Sequence, residues 1–385
     1  MFEPALAALL DALPEARVVG GAVRDALAGR PASDVDLASP LLPETVIERL
    51  TPLGVKVVPT GLAHGTVTAV LPDRHVEITT LRLDVETDGR RATVAFTSDW
   101  RADAARRDFT INAMSMTRNG AVFDYFDGLA DLRAGRLRFV GDPASRVAED
   151  YLRVLRFFRF FARHGGTEPD PATQTALRDA APHLRGLSAE RVWSELTLIL
   201  SAPDPRTSVA SMEQLGVLGA VIPEGTDLPA LSHMIAKGAP VDPVLRIASL
   251  LTGDPLAFAA RLKLSLAERD RLLALRGAPL AAPDADDATL RRLLADTGAS
   301  VLIDRTWLSG GDGAAWDQLR LRLRATPKPV FPLEGGDIVA LGVPPGPRIG
   351  ALSRAVRTWW LEGGCAADTA ACRDEARRLI RDGTI

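Results

Sequence analysis

Two short groups of residues near the N-terminus have side chains and spacing suited to phosphate and metal chemistry. Asp34 and Asp36 are separated by one valine, and residues two apart on a strand point to the same side, so both carboxylates would face one point. Hard oxygen ligands at this spacing suit Mg²⁺. Gly20 and Gly21 follow an apolar strand and precede a short helix, which leaves backbone N–H groups free to bind an anion such as phosphate. A phosphate site beside a magnesium site indicates a nucleotide enzyme.

The order and spacing of these residues resemble a known family. The run Gly-Gly-Ala-Val-Arg-Asp at 20–25, followed by Asp-Val-Asp-Leu at 34–37, is similar to the signature of tRNA nucleotidyltransferases and bacterial poly(A) polymerases, and most of all to the class II (bacterial) CCA-adding enzymes. The resemblance implies addition of C, C and A to the 3′ end of tRNA from CTP and ATP, with release of pyrophosphate. It also implies that Asp34 and Asp36 hold Mg²⁺ in a two-metal mechanism and that Gly21 and Arg24 bind the triphosphate.

These residues need a scaffold of strands and helices, and the sequence pattern predicts one. The predicted elements are a helix at 3–13, a strand at 16–19, a helix at 22–28, a strand at 34–37, a helix at 43–53 and strands at 55–58, 65–71 and 75–81. Beyond about residue 200 the pattern is helical. With the resemblance, this predicts an α+β fold: a small polymerase-β-like mixed sheet with helices, then an extended all-α neck, body and tail. The expected domains are a nucleotidyltransferase head at 1–135, a neck with the base-recognising helix at 136–200, and an RNA-binding body and tail at 201–326 and 327–385.

A third carboxylate, Glu77, lies in the predicted strand Val-Glu-Ile-Thr-Thr-Leu-Arg at 76–82. A glutamate between apolar neighbours is commonly an edge or solvent-face residue, and the residues alone leave that alternative open. The segment resembles the family's Glu-x-Thr-Thr-x-Arg setting. The resemblance implies that Glu77 completes the metal site or takes the proton from the attacking hydroxyl.

The segment at 84–100 is polar and has no regular period, and Asp88-Gly89 is a turn signal, so we predict a surface loop. By resemblance it matches a flexible loop near the active site that is implicated in the switch from adding C to adding A. A mobile loop could reshape the pocket between the two steps.

The run Arg-Arg-Asp-Phe-Thr-Ile-Asn-Ala at 106–113 resembles a family block in which an arginine contacts the bound nucleotide. We assign that role to Arg107, with Arg106 as the alternative. Two adjacent arginines are often merely solvated, and Asp108 could be only a helix N-cap, so these simpler interpretations stay open. Further on, residues 131–165 contain eight arginines against four carboxylates and could contact an RNA backbone.

A helix predicted to begin near Glu149 carries Asp150 and Arg153, whose spacing of three would make them neighbours on one face. They could form only a weak salt bridge. A carboxylate beside a guanidinium also complements cytosine and adenine, because both bases present an amino donor beside a ring-nitrogen acceptor, whereas uracil and guanine present a carbonyl and an N–H. The helix resembles the family's Glu-Asp-x-x-Arg-x-x-Arg motif, which implies that Asp150 and Arg153 recognise the base. Arg156 and Arg159 continue the spacing toward the phosphates.

Residues 188–196 resemble the family's Glu-Arg-x-x-x-Glu-Leu neck motif, with Ser188 as the predicted helix cap. We interpret this helix as a support for the base-recognising helix, held by buried ion pairs. The remainder resembles the family weakly and corresponds by position to the part that grips the acceptor end of tRNA. Arg320, Arg322 and Arg324 could contact phosphate there, but we favour a solvated helix face.

The composition limits the remaining possibilities. A net charge of −3 gives no global positive field, so any RNA contact must come from local patches. Cys365 and Cys372 fall in a predicted C-terminal helix, and with five dispersed histidines they indicate neither a zinc site nor a disulfide framework. There is no signal-like leader and no run of about 18 apolar residues. We expect a soluble, reduced, cytoplasmic protein with no membrane association and no implied protein partner.

Three other functions stay open. A poly(A) polymerase of the same family would use ATP alone, although residues 60–67 resemble the CCA-adding form and the chain has no extended basic tail. A partial enzyme would add only CC or only A, and the segment at 84–100 would decide between them. A non-catalytic RNA-binding relative would be expected to lose at least one of Asp34, Asp36 and Glu77, all of which are present.

Overall fold

A computed structural model describes residues 3–31, 34–87, 92–309 and 311–383. The chain divides into two compact units, Met1–Pro223 and Glu224–Ile385. The four-part division expected from the sequence stays a prediction. Within the described ranges, no helix combines the length and the apolar character that crossing a membrane requires.

The first unit is built on a mixed sheet. Its strands are β1 (Arg17–Val19), β2 (Asp36–Ser39), β3 (Lys56–Gly61), β4 (Thr66–Val70), β5 (His75–Thr80), β6 (Arg82–Thr87), β7 (Ala92–Phe96), β8 (Ser115–Met116) and β9 (Val122–Phe123). Seven of them form one sheet in the order β3-β4-β5-β2-β1-β8-β9, in which β2 and β5 are parallel and the other neighbours are antiparallel. The remaining two, β6 and β7, pair with each other.

Helices cover this sheet and continue beyond it. They are α1 (Pro4–Ala12), α2 (Gly21–Leu27), α3 (Pro43–Leu50), α4 (Trp100–Ala105), α5 (Gly128–Ala134), α6 (Pro143–Glu149), α7 (Leu152–His164), α8 (Pro171–Ala180), α9 (Ala189–Leu200), α10 (Arg206–Gln214) and α11 (Val217–Val221). Leu37 of β2 and Ile78 of β5 are buried in a core that α1 and α3 also enter. Because successive strand residues face opposite sides, Asp36 and Glu77 lie on the face away from that core.

The segment at 84–100 is not the loop that the sequence predicts. Residues 82–87 and 92–96 pair as an antiparallel hairpin, and its register shifts between Asp84 and Glu86. Leu83 and Val85 alternate with polar residues in the first half, and Val94 and Phe96 alternate in the second, so the strand signal is present but short and interrupted by the polar run at 86–91. The predicted turn at Asp88-Gly89 lies outside the described residues.

The helix predicted from Glu149 to Phe161 is confirmed from Leu152 onward, but its start is wrong. Helix α6 ends at Glu149, Asp150 is extended with φ −157° and ψ 107°, and α7 begins at Leu152. The Asp150 carboxylate accepts the Leu152 backbone N–H at 3.0 Å, so it behaves as a helix-starting residue. Asp150 and Arg153 therefore do not share a helical face.

The second unit is helical. Its helices are α12 (Leu228–Ala236), α13 (Pro243–Leu250), α14 (Pro255–Arg261), α15 (Leu266–Gly277), α16 (Asp287–Asp296), α17 (Ala299–Leu308), α18 (Ala314–Ala325), α19 (Gly335–Ala340), α20 (Pro347–Glu362) and α21 (Thr369–Arg381). A mixed sheet followed by helices confirms the predicted α+β fold class.

Two expectations for this unit need correction. Arg320 does not lie on a solvated face: its guanidinium is buried, stacks 3.4 Å from the centre of the Trp307 ring and donates to the Gly311 carbonyl oxygen at 2.7 Å. Cys365 is not helical but lies between α20 and α21 with φ 58°, while Cys372 is inside α21. Both cysteines are free thiols.

Candidate active site

A cavity of ≈ 980 Å³ in the first unit gathers residues that are far apart in the sequence. Of the residues predicted for the site, all except Glu77 line it: Gly21, Arg24, Asp34, Asp36, Arg107, Asp150, Arg153, Arg156 and Arg159. Motifs separated by over a hundred residues therefore meet at one cavity.

The acidic side of the cavity is positioned by the sheet. Strand β2 begins at Asp36, so Asp34 precedes it, but the predicted alternation holds: Val35 and Leu37 enter the core, while Asp34 and Asp36 line the cavity. Asp36 is directly opposite Glu77 in the parallel register of β2 and β5. Desolvation raises the pKa of Asp36 above its ordinary value, the charges of Glu77 and Asp34 raise it further, and Arg107 acts in the opposite direction.

This carboxylate arrangement fits a divalent cation. Asp34 and Asp36 both offer hard oxygen ligands to the cavity, and a cation would relieve the unfavourable charge interactions that raise the pKa of Asp36. In the described part of the chain, no three His, Cys, Asp or Glu side chains are gathered as ligands of one ion. Glu77 is paired with Asp36 across β2 and β5 but does not line the cavity, and its catalytic role stays a prediction.

Two arginine side chains pack closely against the glycines that follow β1. Gly20 has φ 69°, and a Cβ at this position would lie 3.0 Å from Nη1 of Arg107. A Cβ at Gly21 would lie 3.4 Å from Nη2 of Arg24. The close approach that the sequence indicated is therefore made, in this structure, by guanidinium groups that also line the cavity.

Arg24 begins a chain of polar contacts that crosses the cavity wall. Its Nη1 donates to the side-chain oxygen of Asn112 at 2.6 Å, and Nδ2 of Asn112 donates to Asp108 at 3.3 Å. Asp108 in turn accepts from Nε of Arg156 at 2.8 Å. Burial alone would raise the pKa of Asp108, but the charge and hydrogen bonds of Arg156, with those of Asn112 and the Phe109 N–H, lower it below its ordinary value. Asp108 is thus a buried ion-pair partner and not a helix cap.

Helix α9 holds the start of α7. Nη2 of Arg191 donates to Asp150 at 2.6 Å. Arg153 does not pair with Asp150: its Nη1 forms an ion pair with Glu149 and donates to the Arg146 carbonyl oxygen at 2.9 Å. Asp150 and Arg153 still line the same cavity, and their recognition of a base stays a prediction.

A second ion pair joins the middle of these helices. Nη1 of Arg159 lies 3.2 Å from Glu195, which is buried. Burial raises the pKa of Glu195 and lowers that of Arg159, while each charge favours the ionised form of the other. The predicted support of α7 by this neck helix agrees with these contacts, although Ser188 occupies the N-cap position without a side-chain capping hydrogen bond.

Several lining residues were missed from the sequence. Asn112 belongs to the run at 106–113, so its place in a long motif was an available signal. Arg30 and His164 also line the cavity, and Arg163 falls in the arginine-rich segment at 131–165. No local motif identifies Arg30, because its partners lie at the far end of α7.

Comparisons with known proteins show the family to which this chain belongs. A family model described as the poly A polymerase head domain matches residues 16–138, and one described as a probable RNA and SrmB-binding site of polymerase A matches residues 166–228. The chain is 36% identical over 368 residues to mitochondrial CCA tRNA nucleotidyltransferase 1 of Mus musculus, covering 91% of this chain and 83% of that protein. This chain belongs to the CCA-adding tRNA nucleotidyltransferase family.

Further members of the CCA-adding family extend the similarity over the full length. A CCA-adding enzyme of Levilactobacillus brevis is 32% identical over 372 residues, or 91% of each chain. The crystal structure of the Bacillus stearothermophilus CCA-adding enzyme in complex with CTP superposes with a TM-score of 0.79 at 25% identity, over the whole of both chains. The family predicted from the sequence is thereby confirmed, and membership implies the use of a divalent metal.

Proposed function

We propose that this chain adds C, C and A to the 3′ end of tRNA, taking CTP and ATP as substrates, releasing pyrophosphate and using Mg²⁺ as its divalent metal. The observation that carries the proposal is the single cavity that contains both the carboxylates near β2 and the Asp150–Arg159 segment. The names of the full-length relatives support CCA addition over poly(A) synthesis. The cytoplasmic location stays a prediction.

Asp34 and Asp36 would hold the metal. When bound, Mg²⁺ supplies positive charge for the reacting phosphate and lowers the pKa of the primer 3′-hydroxyl. Carboxylates bind a cation in their ionised form. Because the pKa of Asp36 is raised, a nearby positive charge such as that of Arg107 favours the ionised form of this side chain. Glu77, opposite Asp36, would add a third negative charge at this end.

The triphosphate would lie against cationic groups on both sides of the cavity. Gly21 and Arg24 belong to α2, which follows the turn after β1, Arg107 follows α4, and Arg156 and Arg159 project from α7. Guanidinium groups form strong charge-assisted hydrogen bonds with phosphate oxygens. These residues would orient the α-phosphate for in-line attack by the primer hydroxyl.

Base selection would occur where α6 meets α7. The Asp150 carboxylate would accept from the amino group of cytosine or adenine, and Arg153 would donate to the adjacent ring nitrogen. Arg191 holds Asp150, so the carboxylate is oriented by a group outside its own helix. Uracil and guanine would leave these charged groups facing like groups, and buried unpaired groups of this kind cost about 1–3 kcal/mol each.

One assay tests the proposal. Purified protein is incubated with Mg²⁺ and tRNA that lacks its 3′ CCA, with each NTP supplied singly and then together. We expect two C residues with CTP alone and one further A when ATP is added. A ladder of A residues from ATP alone would indicate a poly(A) polymerase, and addition that stops at CC or requires a CC end would indicate a partial enzyme. No incorporation under any condition would refute the catalytic assignment.

A further inference from the structure

A second, smaller cavity adjoins the active site. It has a volume of ≈ 410 Å³ and shares Arg30, Arg163 and His164 with the wall of the larger cavity. Among the described residues that line it, the charged ones are Arg30, Arg133 and Arg163, and none is Asp or Glu. Three guanidinium groups therefore converge on one cavity whose described wall offers no carboxylate to balance them.

Arg30 is fixed at the end of α7. Its Nη1 and Nη2 donate to the Arg163 carbonyl oxygen at 3.3 and 3.4 Å, and Nη1 lies 3.3 Å from Nδ1 of His164. A guanidinium commonly caps the last carbonyl groups of a helix in this way. Capping explains the orientation of Arg30, but it does not explain why Arg133 and Arg163 meet at the same cavity.

Three arginines give the surroundings of His164 a positive potential, although desolvation is the larger cause of its low pKa. Desolvation and the charges of Arg24, Arg30 and Arg163 lower the pKa of His164 to about 3. The imidazole is therefore neutral at physiological pH, and it can donate or accept a hydrogen bond without adding charge. A cavity with this potential attracts anions.

The direction of α7 indicates which anion reaches the cavity. Arg153 is in the first turn of α7, Arg156 and Arg159 lie in the middle, and Arg163 lies at the end. At a rise of about 1.5 Å per residue, Arg163 is roughly 15 Å along the axis from Arg153. With its base at Arg153, as proposed above, a nucleotide lying along α7 would point its phosphates toward Arg163, and the smaller cavity would follow the β- and γ-phosphates.

We propose that Arg30, Arg133 and Arg163 form a phosphate subsite that receives the pyrophosphate leaving group. This inference rests on the proposed nucleotidyl transfer, because that reaction supplies the pyrophosphate. A phosphodiester of the RNA primer presents the same chemistry, and the experiment separates the two sources.

The test uses Arg133→Gln and Arg163→Gln, with Arg178→Gln as the matched control. Arg178 is an exposed arginine of α8 that lines neither cavity. Inorganic pyrophosphate is the probe, measured by calorimetric binding and as a product inhibitor of CTP incorporation. We expect each cavity variant to raise both the dissociation and the inhibition constant for pyrophosphate about 3- to 10-fold, as the loss of one charge-assisted contact at an open site predicts. The KM for tRNA should change less, and the control should match the wild type.

Other outcomes overturn the proposal. Unchanged pyrophosphate constants in both variants would show that no leaving group binds there. A raised KM for tRNA with unchanged pyrophosphate constants would assign the cavity to the RNA backbone instead. If the wild-type protein adds no nucleotide but its pyrophosphate binding still depends on these arginines, the proposed function fails and the subsite stands. Should Arg163→Gln fold poorly by thermal melting, the exposed Arg133 carries the test.

Discussion

The two sides of the active-site cavity are built in different ways. On the sheet side, Asp36 is placed opposite Glu77 by the parallel pairing of β2 and β5, and burial, followed by the like charges of Glu77 and Asp34, raises its pKa. On the helical side, Asp108 is paired with Arg156, and Asp150 with Arg191. The sheet side thus brings carboxylates together through strand pairing, whereas the helical side pairs Asp108 and Asp150 each with an arginine.

The difference implies that the sheet side serves the reaction and that the helical side holds the structure in place. Carboxylates that repel one another weaken the fold slightly but are ready for a cation. Paired charges keep α7 in position relative to its neighbours, and removing one partner leaves the other buried without compensation. Substitutions on the sheet side should therefore reduce catalysis without unfolding the protein, whereas those on the helical side should affect stability and selectivity.

The largest expected effect is the loss of activity in Asp36→Asn. The amide is nearly the same size but cannot supply a negatively charged metal ligand, so we expect CTP incorporation to fall about 10³-fold or more. Single-turnover incorporation into tRNA that lacks CCA measures the effect. Asp73→Asn, an exposed aspartate between β4 and β5, is the control and should stay close to the wild type. Substantial incorporation by Asp36→Asn with intact folding would contradict the metal assignment.

On the helical side, Asp108→Ala should mainly destabilise the protein. Asp108 is buried, and its lowered folded-state pKa means that its ionised form stabilises the fold above the unfolded pKa. We expect the free energy of unfolding to fall by about 2–4 kcal/mol at neutral pH, because Arg156 and Asn112 lose their acceptor. The difference from wild type should shrink as the pH falls through the folded pKa.

Urea denaturation at neutral and acidic pH measures this difference. Asp108→Asn is the matched variant: it retains an acceptor for Asn112 and the Phe109 N–H and should lose less stability. An alanine variant as stable as the wild type at neutral pH would show that the Asp108–Arg156 pair does not hold the helical side.

The sequence predicted the sheet side better than the helical side, for physical reasons. Alternation along strands is local, so the pattern at 75–81 correctly predicted β5 with Glu77 on the face away from the core. The break at Asp150 is not local: the carboxylate caps Leu152 and is held by Arg191, 41 residues away in sequence. Apolar periodicity continues through the break, so sequence alone predicts one helix where two meet.

Side chains buried by distant partners were the other source of error. Arg320 alternates with two other arginines and was predicted on a solvated face, but Trp307 of the preceding helix covers it. Asn112 and Arg30 line the active-site cavity through contacts with α2 and α7, respectively. Motif spacing brought nine of the predicted residues to one cavity, but it could not show which charges neutralise one another there.

An intermediate effect is expected for base selection in Asp150→Ala. Removing the acceptor for the amino group should reduce the preference for CTP and ATP over UTP and GTP by about 10- to 100-fold in kcat/KM. Arg191→Ala retains the Asp150 carboxylate but removes the guanidinium that orients it, so this variant should lower the nucleotide preference less. Arg191→Lys should restore part of that preference. An equal loss for all four nucleotides, or unchanged selectivity, would contradict recognition of the base by Asp150.

The smallest expected effect has the opposite sign to that of Asp108→Ala. Because the folded-state pKa of Asp36 is raised, its ionised form disfavours the fold at neutral pH, and this cost disappears once the pH falls below the unfolded pKa. Asp36→Asn should therefore stabilise the metal-free protein at neutral pH, by less than about 1 kcal/mol because the side chain is open to solvent. Adding Mg²⁺ should raise the melting temperature of the wild type more than that of the variant, since a cation that binds only the folded state stabilises it. A variant that is destabilised without metal, or that gains as much from Mg²⁺ as the wild type, would contradict this comparison. The sheet side would then not be distinguished from the helical side by unpaired carboxylates that await a cation.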